Sequence, residues 1–265
     1  PSILATALAT LGMLLLLAPK AIPARYLAIF MTLPLLFNPI NHVKKNSMQI
    51  TLLDSGKGLI TVIRHASTTV LFESKNAYMR HINLNRSIVM PYLRGTGINT
   101  IDTFFNFLPS FKSHAAVNSL QQYFSIKKTS FACENPNVIH VGKLLFTKLD
   151  TNNHCSLLVS YGNKNILITS AITRALINHP PLAITLLITS DQKHLIKLLQ
   201  HIQIKYLLLP NLANSRLADI KKHFPNIKIF TTKQLGTVKL MLNVDHLHQR
   251  HSTPTNKKLS VLPKS

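Results

Sequence analysis

The sequence predicts a mixed α/β protein in which two sheets carry helices on their outer sides, preceded by two apolar helices. Three observations lead there. The first part of the chain carries two long uncharged runs. Short β-branched runs then follow one another, separated by turn residues. The second half alternates strand-like and helix-like segments. Strands in runs followed by strand–helix alternation suit two packed sheets with helices outside.

Ser2 to Ala18 contains no charge and includes Leu14, Leu15, Leu16 and Leu17. A second uncharged run, from Tyr26 to Ile40, contains Pro34 and Pro39. A spanning helix needs about 20 apolar residues, and Pro34 would kink the second run. The expectation is two membrane helices within residues 1–45, joined by the basic loop 20–25. That loop would face the cytoplasm by the positive-inside rule. Lys44 and Lys45 argue for the opposite orientation, which stays open. A chain that begins at Pro1 reads as a piece of a longer protein.

The domain proper is expected over 46–245, with a basic flexible tail over 246–265. The patterning predicts strands over 48–53, 59–64 and 69–73. The Asp54-Ser55-Gly56-Lys57-Gly58 turn separates the first two. A helical segment follows over 86–95, with Pro91 a break. A strand over 103–107, a helix over 114–123 and a strand over 126–130 come next. Strands over 143–148, 156–161 and 165–169 follow, the last two joined by a hairpin turn at Gly162-Asn163-Lys164. Then come a strand over 185–188, a helix over 191–201 with Asp191 near its start, and a strand over 205–209. A helix over 215–224 with Ser215 as N-cap and strands over 227–231 and 236–243 complete the order. No internal repeat is visible.

Composition narrows the function. The 265 residues hold 30 Lys and Arg against 8 Asp and Glu, a formal net charge of +22. Residues 1–45 hold four of the basic residues and no acid, so the domain and tail keep 26 against 8, or +18. An apolar fraction of 46% excludes an acidic disordered chain. Two cysteines exclude a disulfide-dense scaffold. Eight acids leave few pairs for acid/base work or for a hard-metal cage. So basic a surface points to anionic partners, nucleic acid or lipid headgroups. Phe111, Tyr123 and Phe124 near Lys112 and Lys127 could stack bases of a single strand. Cys133 and Cys155 are candidates for a disulfide worth about 3 kcal/mol in the chain-entropy model; two separate buried thiols are the alternative. Ser110, His114 and Asp102 lie close in sequence, but nothing in the sequence assembles them as a triad. His246, His248 and His251 read as a solvated cluster.

One order of features is specific. Two apolar segments precede a strand ending in Leu53-Asp54-Ser55-Gly56-Lys57-Gly58-Leu59. Phe72-Glu73-Ser74 follows, then Ile88-Val89-Met90-Pro91-Tyr92-Leu93-Arg94-Gly95-Thr96-Gly97-Ile98 and Ile101-Asp102. This resembles the C-terminal part of the ComEC family, the DNA-internalisation channels of natural competence, from about Leu11 to Asn243. The resemblance implies membrane helices leading into a metallo-β-lactamase-like αββα sandwich. It also implies an inner-membrane, multi-pass location, with DNA, membrane lipid, the rest of the uptake machinery and a second copy of the chain as partners. The side of the membrane on which the domain lies is open, the periplasmic or extracellular side being one choice. Cys133 and the run Asn153-His154-Cys155 look like the family's cysteine positions.

The departures decide the chemistry. The family's His-x-Asp-x-Asp-His motif falls on Leu108-Pro109-Ser110-Phe111-Lys112-Ser113-His114. One imidazole remains, displaced by one position, and Lys112 stands where a carboxylate would face a cation. The family's Gly-Asp falls on Ser170-Ala171, and its late His-His-Gly-Ser near Ser190-Asp191. No carboxylate occurs between Asp102 and Glu134. The expectation is a domain without metal or catalytic residues, Ser110, Lys112 and His114 marking the degenerate loop. DNA would be held by Lys57, Lys112, Lys127 and Lys128. The alternative is an active nuclease or phosphodiesterase that binds zinc or manganese through unrecognised ligands.

Overall fold

The computed structural model describes residues 3–17, 30–31, 43–44, 46–56, 58–74, 84–108, 110–131, 134, 137–150, 154–178, 180, 183–243 and 247–251. Two compact units are distinguished: residues 1–41 with 94–98, and the rest.

In the first unit, Ile3–Leu16 is a helix of 14 residues without a charge. Leu11, Met13, Leu14 and Leu17 are exposed. Among the described residues no helix is long and apolar enough to cross a membrane. Most of the second apolar run lies outside the described residues.

The second unit holds two seven-stranded sheets. The first uses β1 (Ser47–Leu53), β2 (Leu59–His65), β3 (Thr68–Ser74), β4 (Thr100–Phe107), β5 (Ser125–Phe131), β13 (Val238–Asn243) and β14 (Leu247–His251), in the order β14-β13-β1-β2-β3-β4-β5. The second uses β6 (Val138–Val141), β7 (Leu144–Asp150), β8 (Cys155–Tyr161), β9 (Lys164–Thr169), β10 (Ile184–Thr189), β11 (Tyr206–Leu209) and β12 (Lys228–Thr231), in the order β12-β11-β10-β9-β8-β7-β6. Met48, Ile50 and Leu52 of β1 pack with Phe72, Phe105, Phe146, Leu157 and Ile188 in a core between the sheets. A second core lies where Leu167, Leu187 and Leu207 meet the helices Leu195–Leu199 and Asn214–His223.

The two sheets share a connectivity that the sequence does not display as a repeat. In each, antiparallel strands (β1-β2-β3 and β7-β8-β9) are followed by parallel ones reached through helices. Two-residue loops close the β2–β3, β6–β7 and β8–β9 hairpins. Gly142 shows why glycine is needed: φ is +62°, and a Cβ would stand 3.1 Å from Thr68 Oγ1 in the other sheet. Lys148 ties the sheets further along, its ammonium donating to Phe131 O at 3.0 Å and Glu134 O at 2.5 Å.

Several expectations need correction. The flexible tail does not begin at 246, because Leu247–His251 pairs with β13 from Leu242↔Leu247 to Val238↔His251. The strand satisfies ladder groups that β13 would otherwise present at an open edge. The helix expected over 191–201 shrinks to Leu195–Leu199. Ser215 is not an N-cap: the helix Asn214–His223 starts after Ala213, which makes no side-chain cap bond. Pro91 does not end the helical segment. A π-helical turn, Asn85–Val89, ends where Met90 N–H bonds Asn85 O, and the helix Met90–Gly95 continues from there. Pro91 lacks an N–H, yet the helical run passes through it unbroken.

Candidate functional site

The ends of the parallel strands meet the first turn along one edge of the sandwich, where open α/β sheets bind ligands. β3 ends at Ser74 and β9 at Thr169. Ser74 Oγ donates to Ser170 Oγ at 2.8 Å, and Ser190 Oγ donates to Ser170 O at 3.3 Å. Past β12, Thr232 Oγ1 donates to Asp54 Oδ1 at 2.9 Å and accepts from Asn211 N–H at 3.1 Å. Hydroxyls thus stitch one sheet to the other at this edge.

Asp191 follows β10. Its Oδ2 accepts from Ile172 N–H at 2.9 Å, and its Oδ1 from Lys193 N–H at 2.9 Å and His194 N–H at 3.4 Å. His194 Nδ1 lies 3.2 Å from Oδ2. Burial pushes the carboxyl up, but these hydrogen bonds together hold it below its ordinary value. The carboxylate is a cap for the 191–194 turn, which is why the helix starts only at Leu195.

Beside this turn lies a cleft of ≈ 640 Å³, lined by Gly56, His154, Asp191, Lys193, Asn211 and Arg216 among others. Arg216 donates from its guanidinium to Gln192 O at 3.2 Å. His154, Lys193 and Arg216 are exposed.

The residues singled out from the sequence divide three ways. Lys57 and Cys133 lie outside the described residues, though Gly56 lines the cleft. The side chains of Ser110 and Lys112 are likewise outside the description; both residues belong to the helix Ser110–Gln121. His114 of that helix is exposed, its ring 5.2 Å from that of Phe131. Asp102 bonds Thr69 N–H at 2.8 Å and pairs with Lys127 Nζ at 2.7 Å. Both carboxylate oxygens are therefore engaged away from His114, and no Ser110/His114/Asp102 triad is assembled. Lys127 and Lys128 are exposed on β5, an edge strand, and neither lines the cleft. Cys155 is disulfide-bonded. Lys193, Arg216 and His154 are basic lining residues to which sequence reasoning gave no binding role.

The donors at this edge do not suit a metal ion. Ser74, Ser170 and Thr232 present hydroxyls already hydrogen-bonded to each other or to neighbouring groups, and the Asp191 oxygens are occupied. Among the described residues no group of three His, Cys, Asp or Glu is placed to hold a cation.

No family model and no curated protein matches the chain. Solved structures similar to it include proteins of the metallo-β-lactamase fold. The fold protein YhfI from Bacillus subtilis aligns with TM-score 0.47 and 12% identity, over 73% of this chain and 99% of YhfI. A diphosphatase from the PhnP family aligns with TM-score 0.46 and 8% identity, over 69% and 94%. Zn(2+)-bound PqqB from Methylobacterium extorquens aligns with TM-score 0.42 and 8% identity, over 69% and 97%.

Proposed function

We propose that the chain is the C-terminal part of a ComEC-like DNA-uptake channel of the inner membrane. Its metallo-β-lactamase-like domain does not hydrolyse its ligand and holds a DNA strand instead. The observation that carries this reading is the edge of the sandwich. Where a metal hydrolase would need imidazoles and carboxylates, the chain has the mutually bonded hydroxyls of Ser74 and Ser170 and the fully engaged Asp191. The excess of basic residues supplies what a strand requires, since each neutralised phosphate adds affinity through counterion release.

Two further features fit. The apolar helix Ile3–Leu16 exposes Leu11, Met13 and Leu14, a surface suited to lipid and to the rest of a channel. A disulfide at Cys155 suits a domain on the oxidising side of the membrane.

The test is elemental analysis of the purified full chain together with titration of a labelled single-stranded oligonucleotide at several salt concentrations. The expected result is no stoichiometric zinc or manganese, with affinity that falls steeply as salt rises. Stoichiometric metal with phosphodiesterase activity would overturn the reading and establish the hydrolase.

A further inference from the structure

Lys193 and Arg216 reach one cleft from different elements. Lys193 lies in the turn after β10, and Arg216 in the first turn of the helix that follows β11. β10 and β11 are parallel neighbours in register from Leu186↔Tyr206 to Ile188↔Leu208, so their C-terminal ends lie side by side. Among the described residues, neither cation is in a salt bridge, unlike Lys127 with Asp102 or His194 with Asp191. Among the described residues that line the cleft the carboxylate is Asp191, and backbone N–H groups and His194 occupy its oxygens. Those bonds satisfy its oxygens, while the two cations remain for a ligand.

Arg216 is also anchored. Its bond to Gln192 O uses one of five donors and tethers the guanidinium at the cleft, which leaves a fork of the geometry that suits phosphate. Lys193 adds a point charge on the same rim. At ≈ 640 Å³ the cleft has room for a nucleotide-sized group.

We propose that this cleft is a phosphate-binding site in which Lys193 and Arg216 grip one phosphodiester of a nucleic-acid strand. The strand is thereby anchored here and not on the β5 lysines. The inference rests on the strand-holding function proposed above and gives it a place.

The experiment is fluorescence anisotropy of the full chain with a labelled single-stranded oligonucleotide over a series of salt concentrations. It compares Lys193→Glu/Arg216→Glu with Lys221→Glu/Lys222→Glu, an equal charge change in the last turn of the same helix. All four side chains are exposed, and circular dichroism checks that both variants fold. The cleft variant is expected to bind about tenfold more weakly and to lose about 0.7 from the salt slope, one neutralised phosphate on a single strand. The control is expected to change affinity by less than about threefold. A mononucleotide serves as competitor, to separate a strand phosphodiester from a terminal phosphate.

Equal losses in the two variants overturn the cleft, because net charge alone then explains them. Unchanged binding in the cleft variant, with loss in Lys57→Glu/Lys112→Glu, overturns the cleft but keeps the strand-holding function. If the wild type ignores the oligonucleotide yet binds the mononucleotide through Lys193 and Arg216, the phosphate site stands and the strand-holding function falls. If neither ligand binds, both fall.

Discussion

The Ser74 hydroxyl donates to the Ser170 hydroxyl across 2.8 Å and so joins the end of β3 in one sheet to the end of β9 in the other. A neutral hydroxyl pair of this kind contributes about 1 kcal/mol. A double-mutant cycle with Ser74→Ala and Ser170→Ala, read by urea unfolding, is expected to give a coupling of about 0.5–1.5 kcal/mol. A coupling near zero would mean that the contact does not hold the sheets together in solution.

Glu73 lies one residue earlier, on the other face of β3, and is 2% exposed. Its strand neighbours are Ile60 and Asn106, neither of them charged, and Asn85 bonds its side chain. Its Oε2 has no hydrogen-bond partner among the described residues. Burial pushes the carboxyl up to about 7 from an ordinary 4.5, against the opposing Asn85 bond. The folded state therefore keeps a proton that the unfolded state gives up. Stability is highest below pH 4.5 as far as this group is concerned, falls between 4.5 and 7, and is lower by about 3 kcal/mol above that. Glu73→Gln should flatten this dependence and make the protein more stable than wild type at pH 8. Unfolding free energies measured from pH 5 to 8 decide it; parallel curves for the two proteins would refute the assignment.

Much of the fold can be read from the sequence, and what cannot has common causes. The β8–β9 hairpin is legible because β-branched and apolar residues flank Gly162-Asn163, and Gly162 indeed takes φ +56°. Val138–Val141 and Leu247–His251 are not legible. Each is short and lies at a sheet edge, and backbone pairing stabilises each more than an alternating pattern does. At the candidate site, the resemblance points to the stretches of Ser74, Ser170 and Ser190, and hydrogen bonds link the three at one edge. The cleft cannot be read from the sequence. His154, Lys193 and Arg216 belong to three separate stretches, and only the neighbouring of β8 to β11 brings them together. Asp191 does lie shortly before a helix, but its two oxygens capture so many backbone N–H groups that a turn replaces the first part of that helix.

Asp102 separates a surface ion pair from a buried hydrogen bond on one side chain. Lys127 Nζ stands 2.7 Å from Oδ1, but the lysine side chain is 64% exposed. Thr69 N–H donates to Oδ2 at 2.8 Å from a residue that is 5% exposed. Exposed pairs contribute about 0.2–1 kcal/mol, whereas an unsatisfied buried donor costs about 1–3 kcal/mol. Lys127→Ala is thus expected to be nearly silent in thermal unfolding, and Asp102→Ala clearly destabilising. Equal effects would show that the ion pair, not the Thr69 bond, is what Asp102 contributes.

Asp191 shapes the cleft through the turn it caps, and its pH dependence has the opposite sign to that of Glu73. Although burial acts against ionisation, the bonds from Ile172, His194 and Lys193 keep the carboxyl below its ordinary 3.8. The stabilisation is present above that value and is lost as pH falls through the depressed folded value. Asp191→Asn removes one acceptor oxygen and the charge, so it should cost about 1–3 kcal/mol at pH 7. The difference from wild type should shrink at strongly acidic pH, where the wild-type carboxyl is itself protonated. Groups common to both proteins cancel in that comparison, so a pH-independent difference would mean that the side chain acts through packing and not through its charge. Lys193 takes its place from the same cap. Hydrogen exchange at the amides of Ile172, Lys193 and His194 should therefore quicken in Asp191→Asn while that of Leu187 in β10 stays protected; quickening spread over the whole strand would instead indicate global loss of stability.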